Sequence, residues 1–123
     1  MKELGELEHK IMHVVWREPG VSVREVCDLL QDDKQRAYTT VMTTLDRLHR
    51  KGHVSREKDG LAWRYRGTRT GEEFRQALAD HLAAEILRAH RELGVAAFVD
   101  AASEDQELLD RLIELVEKRR SDP

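Results

Sequence analysis

The chain has 123 residues, 37% of them charged and only 5% aromatic, with a formal net charge of −3. That size fits one ordinary domain, or a small head carrying an association element. The single cysteine, Cys27, excludes an internal disulfide framework, and no apolar run suggests a signal segment or a membrane span, so a cytoplasmic protein is expected.

Leu4, Leu7, Ile11, Val14 and Val15 recur at helical spacing until Pro19-Gly20, which predicts a first helix from roughly Glu3 to Arg17. Ser22 with Glu25 forms a capping box that opens a second helix, with Val26, Leu29 and Leu30 inward and an end near Asp32-Asp33. Ala37 to Lys51 reads as a third helix, stopped by Gly52 in the left-handed conformation. Next, His53–Lys58 and Leu61–Gly67 flank Asp59-Gly60, the signal for a type I′ hairpin. A two-residue loop there sets Arg56 opposite Trp63 and Val54 opposite Tyr65. Val54, Trp63 and Tyr65 then share an inward face with Arg56 along the indole, while Ser55, Glu57, Arg64 and Arg66 face outward.

A second capping box, Thr70 with Glu73, starts a fourth helix striped by Phe74, Leu78, Leu82 and Ile86. Gly94 is expected to interrupt it before a short apolar piece with Val95, Phe98 and Val99. Ser103 with Gln106 reads as a third box, opening a last helix to about Arg119. Leu108, Leu109, Leu112, Ile113, Leu115 and Val116 crowd that helix with more apolar surface than a lone terminal helix can hide. The expected fold is mostly α with a small β-hairpin wing. A winged helix-turn-helix head over 1–69 precedes a helical dimerisation region over 70–123. Candidate dimerisation residues are Leu82, Ile86, Leu93, Phe98, Val99, Leu108, Leu109, Leu112, Ile113 and Val116.

Charge divides along the same line. Residues 1–70 carry a net +3 and residues 71–123 a net −6. Within the first part, Arg36–Arg69 holds nine Lys or Arg against three Asp or Glu, a local +6. A cationic helix and hairpin in an acidic chain is the footprint of a nucleic-acid reader, and phosphate would repel the acidic part.

On the third helix Val41, Leu45 and Leu48 fall on one face, and Thr39, Thr43, Asp46, Arg47 and Arg50 on the other, with Thr40 at its edge. Threonine is a mediocre helix former, so four of them in six positions (Thr39, Thr40, Thr43 and Thr44) ask for a reason beyond stability. Hydroxyls can donate to phosphates, a threonine methyl can meet a thymine methyl, and Arg47 can fork onto guanine or phosphate. The plainer reading is a solvated polar face. Asp46 either accepts from cytosine or pairs with Arg50.

YTTVMTTLDRLHRKG followed by a hairpin turning at Asp-Gly resembles the penicillinase-repressor family of winged-helix repressors. The resemblance extends to the opening residues Leu4, Leu7, Glu8, Ile11, Met12 and Trp16 and to the helical tail. It implies a homodimeric transcriptional repressor, each copy placing its third helix in the major groove of half a pseudo-palindromic operator. It also implies interlocked C-terminal helices and control of β-lactamase-type resistance or stress genes. By motif the DNA-facing positions are Thr39, Thr40, Thr43 and Arg47, with wing contacts from Arg56, Lys58 or Arg64. Arg36, Tyr38, Arg50 and Lys51 complete the candidate set. A regulatory protease is a further partner in the family, cutting an Asn-Phe bond before the last helix. Ala97-Phe98 stands there in this chain, which puts that specificity in doubt. The copper-responsive cousins end in a cysteine-rich motif that this tail lacks.

Other chemistry has little to rest on. His9 and His13 have chelating spacing without an evident third ligand, His49 and His53 straddle the end of the third helix, and Cys27 reads as a small, partly buried residue. No catalytic or phosphate-cradling motif is present, so no enzyme activity and no cofactor are expected. Two rival readings are a winged-helix protein-interaction module and a small-molecule-responsive repressor of the multidrug type.

Overall fold

The computed structural model describes residues 4–30 and 36–122. The order is α1 (Glu6–Arg17), β1 (Val21–Ser22), α2 (Val23–Leu29), α3 (Tyr38–Arg50), β2 (Val54–Asp59), β3 (Ala62–Gly67), α4 (Gly71–Ala102) and α5 (Gln106–Ser121). The strands form one antiparallel sheet in the order β1-β3-β2. Packing divides the chain into Met1–Leu78 and Ala79–Pro123. The first unit therefore keeps the opening turns of α4, because Phe74 is buried and stacks near Trp16 and His53.

The first unit is a winged-helix head. Ile11, Met12, Val14 and Val15 of α1, Val26 of α2, Val41, Leu45 and Leu48 of α3, and Val54 and Tyr65 of the sheet fill its core. Full burial of such a side chain stabilises by roughly 1.5–3 kcal/mol, so this cluster anchors α3. The Ser22–Glu25 box closes both ways, as does the Thr70–Glu73 box. Gly52 ends α3 at φ +85°, a conformation any side chain would strain. The expected starts and ends at Glu3 and at Asp32-Asp33 lie outside the described residues.

The hairpin register differs from the expected one by two residues. Asp59 pairs with Ala62, Lys58 with Trp63, Arg56 with Tyr65 and Val54 with Gly67. Among the loop residues Gly60 and Leu61, only Gly60 has a positive φ (+63°), as a type II′ turn requires and a type I′ turn does not. Asp59 thus belongs to the strand, where its Oδ2 accepts from Arg64 Nε at 2.8 Å. A slip of two leaves every side chain on its expected face, since the pleat repeats every two residues. Strand β1 had no sequence signature, for two residues carry no periodicity. The Gly20 amide donates to the Tyr65 carbonyl and Val21 pairs with Tyr65, which makes the hairpin a three-stranded sheet.

In the second unit α4 runs as two helical stretches joined across a kink close to the expected interruption. The irregularity falls at Arg91, with φ 31° and ψ −107°, instead of at the glycine. Gly94 is needed for space: the Ile86 side chain occupies the position a Cβ would take. The piece holding Val95, Phe98 and Val99 is the helical stretch that follows the kink. Helix α5 begins at Gln106, capped by Asp105, whose carboxylate accepts from the Glu107 and Leu108 amides. Ser103 forms no box; its hydroxyl donates to the Val99 carbonyl. Among the described residues of this unit no large apolar side chain is buried, and Leu93, Phe98 and Leu108 are more than half exposed. No helix among the described residues is long and apolar enough to cross a membrane.

Candidate nucleic-acid interface

Helix α3 presents the two faces its sequence demands. Val41, Leu45 and Leu48 are fully buried, and Thr39, Thr40, Thr43, Arg47 and Arg50 are exposed. Thr44, the fourth threonine, is buried, and its hydroxyl donates to the Thr40 carbonyl at 2.8 Å. Three threonines, not four, therefore face outward. Tyr38 and Met42 are exposed on the same helix, Tyr38 beneath the Arg24 guanidinium at 5.3 Å, and Arg36 is half-buried just ahead of it.

The wing meets this face through Asp46. Its Oδ1 accepts from Arg56 Nη1 at 3.1 Å, and its Oδ2 lies 3.6 Å from Arg50 Nε. The expected i,i+4 pair with Arg50 is present, but the shorter contact ties α3 to β2. Arg56 lies over the Trp63 ring at 4.5 Å, and Lys58 over the same ring at 4.6 Å. The indole thus holds two cations beside α3, each contact worth about 0.5–1 kcal/mol where exposed. Between helix and hairpin runs a groove of about 500 Å³, with Tyr38, Met42 and Thr43 on one side and Leu61 and Trp63 on the other. Leu61 at the hairpin tip is 99% exposed. The sequence reading did not count Met42, Leu61 or Trp63 among the contact candidates, and it placed Trp63 on the inward face of the hairpin, whereas the residue is 37% exposed.

Not every candidate cation is available to a ligand. Lys51 caps α3 but turns inward, where its ammonium donates to both Glu8 oxygens at 2.8 and 3.0 Å. Arg64 is held by Asp59, by Glu25 and by the Gly20 carbonyl. Glu25 is kept below the ordinary carboxylate range by the Ser22 hydroxyl, then by Arg64 and the Ser22 amide, so that network stays charged. No carboxylate of the described residues forms an ion pair with Arg47 or Lys58. His9 and His13 stack with ring centroids 5.3 Å apart, and no group of three metal-ligating side chains converges among the described residues. Cys27 is half-buried, and burial pushes its thiol pKa up, away from reactivity.

The sequence profile of the penicillinase repressor family matches residues 4–118. The chain belongs to that family. It is 33% identical over 108 residues to the transcriptional regulator BlaI of Mycobacterium tuberculosis, spanning 86% of this chain and 78% of that protein. The methicillin resistance regulatory protein MecI of Staphylococcus aureus matches over 117 residues at 20% identity, 95% of each chain. The solution structure of the DNA-binding domain of the repressor BlaI superposes with a TM-score of 0.50 at 25% identity, over 59% of this chain and 93% of that domain. As a member of that family, the protein is a DNA-binding transcriptional regulator and not an enzyme.

Proposed function

We propose that the protein represses transcription in the cytoplasm as a homodimer on a pseudo-palindromic operator. Helix α3 enters the major groove of each half-site, and the hairpin follows the neighbouring backbone. The observation that carries this reading is the exposed Thr39, Thr40, Thr43, Arg47 and Arg50 face, opposite a fully buried Val41, Leu45 and Leu48 and beside a cationic wing. Threonine hydroxyls meet phosphates and base edges, and Arg47, which forms no ion pair with a carboxylate of the described residues, can fork onto a base. Tyr38 and Lys58 flank that contact, and Arg36, Arg50 and Arg56 support it through charge. Lys51 and Arg64 instead spend their charge on partners within the head.

The exposed apolar side chains of α4 and α5 suit the joint between two copies, which sets the two reading helices about one helical turn, ~34 Å, or a small multiple apart. β-Lactamase-type resistance or stress genes are the proposed targets. A regulatory protease is a proposed partner, with Ala97-Phe98 in place of an Asn-Phe bond.

Selection from a random duplex library, followed by binding measurements, tests the contacts one at a time. Arg47→Ala is expected to cost about 1–3 kcal/mol on the selected site and to relax preference at one base position. An equal loss on every sequence would make Arg47 a phosphate contact. Lys58→Ala is expected to reduce the salt dependence of binding by about one unit of slope, without changing sequence preference. An unchanged slope would take the wing tip off the backbone.

A further inference from the structure

A cleft of about 580 Å³ opens in the head, lined by α1, the junction of α3 with β2, the connection after β3 and the first turns of α4. Met12, Trp16, Phe74 and Ala77 supply an apolar wall, with the Trp16 and Phe74 rings 5.2 Å apart. Lys51, His53 and Arg69 supply polarity, and no lining residue is a carboxylate. This size and mixture, apolar walls with a few convergent polar groups, is that of small-molecule sites.

Two buried side-chain atoms among the described residues lack a hydrogen-bond partner, Trp16 Nε1 and His53 Nε2, and both belong to side chains lining this cleft. Unmet buried polar atoms are rare in folded proteins and ask for an explanation. An indole N–H can only donate, so its missing partner is an acceptor. Burial, then the Lys51 charge, pushes the His53 pKa down against a smaller pull from Glu8, so the imidazole is neutral near pH 7 and can donate or accept. Lys51 is already held by Glu8, which leaves Arg69 as the cation for an incoming anion.

We propose that this cleft binds a small organic carboxylate with an apolar body, its oxygens toward Arg69 and its body against Met12, Phe74 and the Trp16 ring. The site goes beyond DNA reading and does not depend on it. It adjoins Lys51 and Gly52, the joint between α3 and the wing.

The test uses the full chain and nitrogen-resolved NMR. The protein has two tryptophans, so Trp63→Phe assigns the Trp16 indole N–H resonance. Benzoate is titrated, with benzamide as a neutral probe of the same shape. Expected is a saturable shift of the Trp16 resonance at millimolar benzoate, little movement of Trp63, and benzamide binding weaker by about tenfold. Arg69→Gln should weaken benzoate by a similar factor of about ten. A shift that never saturates, equal response to benzamide, equal movement of both indoles, or unaltered affinity in Arg69→Gln would each overturn the proposal. Should Arg69→Gln disturb the fold, Ala77→Leu fills the apolar end and must abolish saturation; retained saturation overturns it.

Discussion

Ile113→Asp is expected to turn the proposed dimer into a monomer in sedimentation, and to lower affinity for a two-fold operator by about 100-fold or more. Leu109, Leu112, Ile113 and Val116 follow the i, i+3, i+4, i+7 spacing of a helix stripe, and Leu108 widens it. Ile113 and Val116 are each 48% exposed and Leu108 is 56% exposed, in a unit whose described residues bury no large apolar side chain. A contiguous apolar surface of this kind marks an association site. A carboxylate at its centre must either be desolvated, at a cost of several kcal/mol, or hold the copies apart. The operator effect is larger than the contact itself, because two linked half-sites bind as one unit and each alone binds weakly. Unchanged helical content by circular dichroism separates lost pairing from lost folding. Unaltered dimer mass in a folded Ile113→Asp variant would take α5 out of the joint.

The second large effect lies in the head. Lys51→Met is expected to destabilise it by about 3 kcal/mol, a fall in Tm of roughly 10–20 °C for a unit of this size. The mutation strands the Glu8 carboxylate, whose side chain is 8% exposed, without its ammonium partner at 2.8 Å. Converting both residues, Glu8→Met with Lys51→Met, should recover most of the loss, since an apolar pair of similar volume carries no desolvation cost. If the double variant is no better than the single one, the single-variant loss is not a stranded charge.

The same pair predicts a pH dependence. Burial alone would raise the Glu8 pKa, but hydrogen bonds from Lys51 and the Gly5 amide, with the Lys51 and Arg47 charges, outweigh it and lower the value. A carboxylate lowered in the folded state contributes fully above its unfolded pKa, about 4.3, and loses that contribution as pH falls through the folded value. The wild-type protein should therefore lose stability more steeply than the double methionine variant below about pH 4.

Much of this was legible in the sequence, where a pattern is local. Periodicity placed α1, α3 and α5, and two of the three capping boxes closed as spacing predicts. The third failed because Asp105 stands closer to the amides it caps than Ser103 does. The hairpin register slipped because Asp59-Gly60 can supply either both loop residues or only the glycine, and the backbone chose the second. Lys51 read as a DNA-facing cation because nothing nearby reveals Glu8, 43 residues earlier, as its partner. The outward placement of Thr39, Thr40 and Thr43 was legible because burial of Val41, Leu45 and Leu48 dictates what lies opposite. Long-range pairing decided what local pattern could not.

The most direct measurement is equilibrium binding of the full-length protein to a labelled duplex across a salt series. Affinity should fall linearly on logarithmic axes with a slope of several units, about −0.9 for each phosphate neutralised, and the Arg47→Ala variant should bind the selected site more weakly throughout. No binding to any duplex at low salt, or binding indifferent to salt, would contradict a cationic α3 and wing gripping the DNA backbone.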